Sequence, residues 1–183
     1  MPDARIRPGR GAYFADREAA VQAVRMVLPM IESALMRTEV GESGFLYIVV
    51  MDPASSPWRD SFADAILYEH AVGERERWDA DYAAFARGKA EVSWRTGLDG
   101  HAVRQLRPHL LRGGDSGLWG SVCIEGIVVG VSGAHPWYDE AFAAAVAHCL
   151  KAVAKARALA EPEAPRLAGA DAGDGDEPYR RTP

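Results

Sequence analysis

Cysteine is nearly absent from this sequence. Only Cys123 and Cys149 occur among the 183 residues, and they do not form a CxxC motif. Two isolated thiols provide neither a disulfide framework nor the cysteine ligands of a structural zinc site. We therefore expect no disulfide scaffold, and we interpret Cys149, on an apolar helix face, as a buried and unreactive thiol.

Long hydrophobic runs are also missing. No apolar stretch approaches the roughly 20 residues of a membrane-spanning helix, and none follows the N-terminal arginines as it would in a secretory signal. The formal net charge is -5, without the basic clusters that bind nucleic acid. We expect a cytoplasmic protein that contacts neither membranes nor nucleic acid.

The common catalytic signatures do not occur either. There is no GxSxG, P-loop or GxGxxG motif in its required context, so Ser132 is not a hydrolase nucleophile. None of the five histidines has HExxH spacing, and we predict no metal site.

The chain has the length and composition of one folded domain with two tails. Hydrophobic residues make up 48% of it, which is ordinary for a globular protein. We predict a flexible arm at residues 1–15, one domain at residues 16–160 and a disordered tail at residues 161–183, where Pro, Ala, Gly and Asp dominate.

The apolar pattern within the domain predicts two hairpins separated by helices. Residues 45–51 are apolar without alternation, as in a central strand covered on both faces. Hairpins form antiparallel sheets, so we expect an α+β sandwich with helices against one face. The predicted elements are a helix from Asp16 interrupted by Pro29, strands at 45–51 and 61–70, helices at 74–94 and 101–111, a hairpin closed by Glu125-Gly126, and a helix from Pro136. Asp139 and Glu140 complement the dipole of this last helix.

Lys89 is an anomaly in the second long helix. It falls on the predicted inward stripe, which also contains Trp78, Tyr82, Phe85 and Val92. A buried ammonium needs a partner or must lose its proton. Either Lys89 lies at the edge of the stripe and reaches solvent, or it points into a cavity and holds an anionic ligand group.

Other candidate binding groups surround the predicted sheet. Ser132-Gly133-Ala134 precedes a helix and offers free amides to a carboxylate or phosphate, or simply lets the hairpin turn into the helix. His70 and His135 are expected at the same sheet edge, where an imidazole ligates heme iron or moves a proton, unless both are surface residues. Trp78 is among the aromatic residues expected to line a pocket or a subunit interface.

Three segments, in this order and spacing, resemble the GlcG/HbpS-like family, which is related to the C-terminal domain of PduO and to putative heme-degrading proteins. One is the apolar strand that ends in an aspartate, Ile48-Val49-Val50-Met51-Asp52. The second is Phe85-Ala86-Arg87-Gly88-Lys89-Ala90. The third is Gly113-Gly114, followed by Gly130-Val131-Ser132-Gly133 and Asp139-Glu140. The resemblance implies a profilin-like fold with a central antiparallel sheet of about five strands. It also implies dimers or larger rings, and heme or corrinoid binding in several members.

Three functions follow as hypotheses. The first is a small-molecule binding protein of the GlcG/HbpS type, with heme or another planar or anionic ligand held by the residues His70, Trp78, Lys89, Ser132, Gly133 and His135. The second is a metal-independent enzyme in which Lys89, Glu69 and His70 perform acid-base chemistry in an aromatic pocket. The third is an assembling protein whose aromatic residues fill subunit contacts. We expect a homo-oligomer, a dimer or larger.

Overall fold

The apolar runs of the sequence form the middle of an antiparallel sheet. We analysed a computed structural model, which describes residues 11–161 and 167. Its strands are β1 (Gly11–Ala12), β2 (Ala15–Asp16), β3 (Leu46–Met51), β4 (Ile66–Val72), β5 (Ser121–Ile124) and β6 (Ile127–Ser132). The main sheet has the order β4-β3-β6-β5, with every neighbouring pair antiparallel, while β1 and β2 form a separate ribbon. This confirms the α+β class and the antiparallel pairing, with four strands in the main sheet rather than about five.

Helices cover both faces of this sheet. They are α1 (Arg17–Leu35), α2 (Phe62–Ala65), α3 (Tyr82–Thr96), α4 (Gly100–Leu106) and α5 (Pro136–Ala160), with 3-10 turns at Arg75–Arg77 and Pro108–Leu110. One core joins α1 and α5 to Leu46, Ile48 and Val50, and a second core joins α3 to Tyr47 and Val49. The expectation of helices against one face is therefore wrong, because β3 is apolar on both sides and both sides must be buried.

Local sequence signals explain how several elements begin and turn. Asp16 accepts a hydrogen bond from the amide of Ala19 at 2.8 Å and caps α1, which continues through Pro29. The β5–β6 hairpin turns at Glu125-Gly126, where both residues have positive φ (51° and 85°), as in the preferred two-residue hairpin turn. The cap at Asp16 and the turn at Glu125-Gly126 were predicted from the sequence and are confirmed, whereas the predicted interruption at Pro29 is wrong.

The predicted strand over residues 61–70 is wrong in its first half. The Ser61 hydroxyl accepts a hydrogen bond from the amide of Asp64 at 3.1 Å, which caps the short helix α2, and the strand begins only at Ile66. The predicted helix over 74–94 also begins later, at Tyr82, where Asp81 caps it. In both places a local side-chain cap decides the conformation over the apolar pattern.

The β1–β2 ribbon and the end of α5 meet beside the start of α1. Of the predicted arm, residues 1–10 lie outside the described residues, while residues 11–16 form the β1–β2 ribbon and Tyr13 donates a hydrogen bond to Glu161 at 3.0 Å. The predicted tail lies outside the described residues except for Glu161 and Leu167. Across the described part of the chain, no helix is long and apolar enough to cross a membrane.

Candidate functional site

Lys89 is fully enclosed by the protein. Its side chain is 2% exposed and points from α3 across the sheet. Its ammonium donates to a carboxylate oxygen of Asp139 at 2.8 Å, to the carbonyl of Val131 at 3.0 Å and to the hydroxyl of Ser132 at 3.1 Å. The interpretation in which Lys89 reaches solvent is therefore wrong, and the inward orientation is confirmed.

Asp139 is the anion that Lys89 holds. It lies in the first turn of α5, and its second carboxylate oxygen accepts a hydrogen bond from the amide of Ala134 at 2.9 Å. The amide of Gly133 also stabilises this carboxylate. The amides predicted to bind an external anion and the lysine predicted to bind one therefore converge, but on a carboxylate of the chain itself.

The electrostatics of this pair are dominated by burial. Burial raises the pKa of Asp139 to about 6, although Lys89 and the amides of Ala134 and Gly133 act in the opposite direction. Space for the pair depends on Gly120, because a Cβ there would lie 2.6 Å from the Cβ of Asp139 and 3.2 Å from the Lys89 nitrogen. The sequence interpretation assigned Asp139 only to the helix dipole and gave Gly120 no role.

The proposed catalytic group of Lys89, Glu69 and His70 does not assemble. Glu69 and His70 are consecutive in β4, so their side chains project to opposite faces of the sheet. Glu69 lies on the α3 face, where both carboxylate oxygens accept hydrogen bonds from Arg87 at 2.7 and 2.9 Å. The polar contacts of Lys89 are instead with β6 and α5, beyond the intervening strand β3.

His70 lies on the other face, beside α1. Its Nδ1 is 3.1 Å from the hydroxyl of Tyr68. Burial lowers the pKa of His70, Glu32 raises it and Arg25 lowers it. His135 follows β6 and stacks on Trp137 with ring centroids 5.0 Å apart. β4 is an edge strand and β6 an internal one, and both end at the same end of the sheet, where Val72 pairs with Leu46 and Ser132 pairs with Tyr47.

The two histidines suggested as iron ligands have different surroundings. Nδ1 of His70 engages the hydroxyl of Tyr68, whereas His135 lines a cleft that follows β6. The cleft beside His135 is lined by carboxylates, which repel the propionate groups of a porphyrin. Within the described residues, no three His, Cys, Asp or Glu side chains are grouped so that they could hold a metal ion.

Three of the predicted ligand residues do lie at or near an open cleft at one end of the sheet. We call it the His135 cleft. Its volume is 540 Å³, and its walls come from the segment after α1, the segment before α3 and the turn after β6. The lining residues are Gly41, Glu42, Ser43, Asp79, Tyr82, Gly133, Ala134 and His135. Ser132 lies just behind this wall and binds Lys89.

The polar groups of the cleft are held in place by hydrogen bonds. Ser43 donates to the carbonyl of Gly133 at 3.1 Å, which joins two walls. Tyr82 donates to a carboxylate oxygen of Asp79 at 2.5 Å, and burial followed by this hydrogen bond raises the pKa of Tyr82. Its hydroxyl therefore remains a proton donor at neutral pH.

No protein-family model matches this chain. No curated protein matches its sequence either. The chemistry of the site therefore rests on its own residues.

Trp78 supports the cleft from behind instead of lining it. Its ring meets Tyr82 edge-on, with centroids 5.5 Å apart, and meets Tyr47 in the same way at 5.7 Å. The guanidinium of Arg75 covers the Trp78 ring at 5.0 Å. The predicted aromatic surface is thus covered by an arginine of the same chain.

The charge of the His135 cleft is negative. Glu42 and Asp79 contribute exposed carboxylates, and no lysine or arginine is among the lining residues. No sequence pattern identified Glu42, Ser43 or Asp79, because single polar residues in loops occur throughout any chain. Only the fold shows that the segments carrying them meet beside His135.

Proposed function

We propose that this chain is a small-molecule binding protein whose ligand occupies the His135 cleft and carries a protonated amine. The observation that carries the proposal is the pair of exposed carboxylates, Glu42 and Asp79, in a cleft whose lining residues include no lysine or arginine. Opposite charges attract strongly where protein walls exclude part of the water. The anionic ligand expected from the sequence is replaced here, since Lys89 and the amides after β6 are occupied by Asp139.

The buried ion pair supports this proposal by fixing one wall of the cleft. A buried pair adds little stability compared with apolar packing, so its value lies in the conformation it imposes. Asp139 holds the amide of Ala134, and Ala134 lines the cleft. The ligand therefore meets a wall that is already ordered, which lowers the entropic cost of binding.

Membership of the GlcG/HbpS-like family remains part of the proposal. It rests on the sequence segments that carry the resemblance, the second of which contains Lys89. Heme binding is not proposed, because His70 engages Tyr68 and the cleft beside His135 carries carboxylates. Acid-base catalysis by Glu69 is not proposed either, because Arg87 occupies both of its oxygens.

Two probes of similar shape and opposite charge test the charge preference. We expect tyramine to give a measurable heat of binding in isothermal titration and 4-hydroxyphenylacetate to give none. Asp79→Asn and Glu42→Gln should each weaken tyramine binding by about tenfold, as the loss of a charge-assisted hydrogen bond does. Glu76→Gln, an exposed carboxylate outside the cleft, is the matched control.

Binding of the carboxylate probe in preference to the amine would contradict the proposal. Equal loss of tyramine binding in Glu76→Gln would show that only overall charge matters. A hemin titration adds an independent check. We expect no change in the Soret band that depends on His70 or His135.

A further inference from the structure

The two edges of the main sheet differ in how they are protected. At one edge, β5 is short, and the amide of Cys123 donates to a carboxylate oxygen of Asp99 at 2.7 Å. At the other edge, β4 is the longest strand of the sheet. Within residues 11–161, the backbone groups of residues 66–72 make no hydrogen bonds except those to β3.

The free edge of β4 has none of the usual devices against strand pairing. Monomeric proteins protect such edges with lysine, proline, bulges or a covering element. The segment Ile66–Val72 contains neither lysine nor proline, and its one charged residue, Glu69, is tied to Arg87 on the α3 face. The register shift in the β3–β4 ladder occurs at Val50/Met51, near the start of β4, and residues 68–72 are regularly paired.

One face of α1 flanks this edge. The residues Val21, Arg25, Leu28 and Glu32 follow the four-three-four spacing of a single helix face. The guanidinium of Arg17, at the start of α1, lies 5.3 Å from the centre of the Tyr68 ring, which places α1 beside β4, and Arg25 and Glu32 both act on the pKa of His70. Among the described residues, neither Arg25 nor Glu32 forms an ion pair, and both are exposed.

We infer that a second copy of this chain pairs with the free edge of β4 in an antiparallel, two-fold symmetric dimer. A two-fold axis perpendicular to the sheet does not exchange the two faces, so the α1 face of one copy continues into the α1 face of the other. Residues that lie directly opposite each other in the ladder must therefore project to the same face. The axis therefore passes through a residue of β4. If it passed through Glu69, two carboxylates would lie directly opposite each other, which is unfavourable.

An axis through His70 avoids this repulsion and satisfies the charges of α1. In that register Tyr68 lies opposite Val72 of the second copy, an aromatic and β-branched pair of the kind that stabilises sheets. Arg25 and Glu32 carry opposite charges, lie about two helical turns apart on α1, and both act on the pKa of His70. The two-fold axis places each Arg25 opposite Glu32 of the other copy, with Leu28 near the axis. The inference is independent of the ligand proposed for the His135 cleft.

Charge reversal tests the helix contact in the full chain. We expect light scattering to give twice the 19.8 kDa mass of one chain. Arg25→Glu and Glu32→Arg should each weaken the dimer by about tenfold or more, because like charges then face each other. The double variant should restore it. Arg37→Glu, whose side chain is 69% exposed beyond the end of α1, is the matched control.

Cysteine cross-linking tests the strand register. In a background carrying Cys123→Ser and Cys149→Ser, His70→Cys should form a disulfide-linked dimer, because opposite residues have Cα atoms about 4.5–5.5 Å apart. Ala71→Cys, one residue away, should not. A monomer at every concentration would overturn the inference. So would a dimer that neither charge reversal weakens nor His70→Cys cross-links.

Discussion

Removing the ammonium of Lys89 should destabilise the protein strongly. In Lys89→Met the side chain keeps a similar length, but Asp139 loses its 2.8 Å partner while remaining 0% exposed. Breaking one side of a buried pair costs about 3–5 kcal/mol, because the remaining charge is uncompensated. A domain of this size has a total stability of about 5–15 kcal/mol, so the variant should be marginal.

Urea denaturation followed by tryptophan fluorescence measures this loss. The double variant Lys89→Met with Asp139→Asn removes both charges. The side-chain amide oxygen at position 139 still accepts the hydrogen bond from the backbone amide of Ala134. We expect it to be more stable than Lys89→Met alone, with an interaction energy of about 2–3 kcal/mol in the double-mutant cycle. Lys155→Met, an exposed lysine of α5, should change the free energy of unfolding by less than about 0.5 kcal/mol.

The pair should also leave a signature in the pH dependence of stability. Because the pKa of Asp139 is about 6 in the folded protein, above its ordinary 3.8, the folded state binds this proton more tightly than the unfolded state. The free energy of unfolding of the wild type, relative to Asp139→Asn, should therefore fall by about 3 kcal/mol as pH rises from about 4 to about 6. A cost below about 1 kcal/mol for Lys89→Met, with no such pH difference, would refute a buried pair at this position.

Two further predictions concern the packing of α3 and the environment of His70. Gly130→Ala should reduce the free energy of unfolding by about 1–3 kcal/mol or more. The added Cβ would lie 2.6 Å from the carbonyl oxygen of Ala86 and 2.9 Å from the amide nitrogen of Ala90. Gly117→Ala, whose Cβ would have no atom within 4 Å, should have little effect in the same urea titration. Burial lowers the pKa of His70 below 6.5, so the unfolded state binds this proton more tightly and stability should fall as pH drops below 6.5. His70→Gln should remove that component of the curve, and an unchanged curve would show that His70 is not desolvated.

The parts of the fold that the sequence predicted correctly are those with dense local signals. Residues 46–51 are buried without exception, and that apolar run identified the central strand β3. The same run also requires a cover on each face of the sheet. The expectation of helices on one face conflicted with this requirement, and the apolar run alone would have predicted helices on both faces. Which face α3 covers depends on Gly130, whose missing side chain admits the backbone of Ala86 and Ala90. The presence of a glycine in a predicted strand does not by itself indicate that a helix packs against it.

The candidate site was harder to predict, because its residues come from distant segments. The inward orientation of Lys89 was one of two interpretations left open, and its partner lies 50 positions away in the sequence. Asp139 was assigned to the helix dipole, a role that any acidic residue in a first turn fulfils. Glu69 and His70 were grouped with Lys89, yet their adjacency in a strand places the two side chains on opposite faces.

Several hydrogen-bond donors converge at one buried point of this protein, and the group that satisfies them decides which charge a ligand should carry. The ammonium of Lys89 and the amides of Gly133 and Ala134 converge on one buried point, and such a group of donors requires an anion. A protein that bound an external anion there would leave these donors unpaired whenever the ligand departed. Asp139 supplies the anion from within the chain, so the donors serve the shape of the adjoining wall. The carboxylates of Glu42 and Asp79 line the neighbouring cleft, and the ligand that we propose for it therefore carries a positive charge.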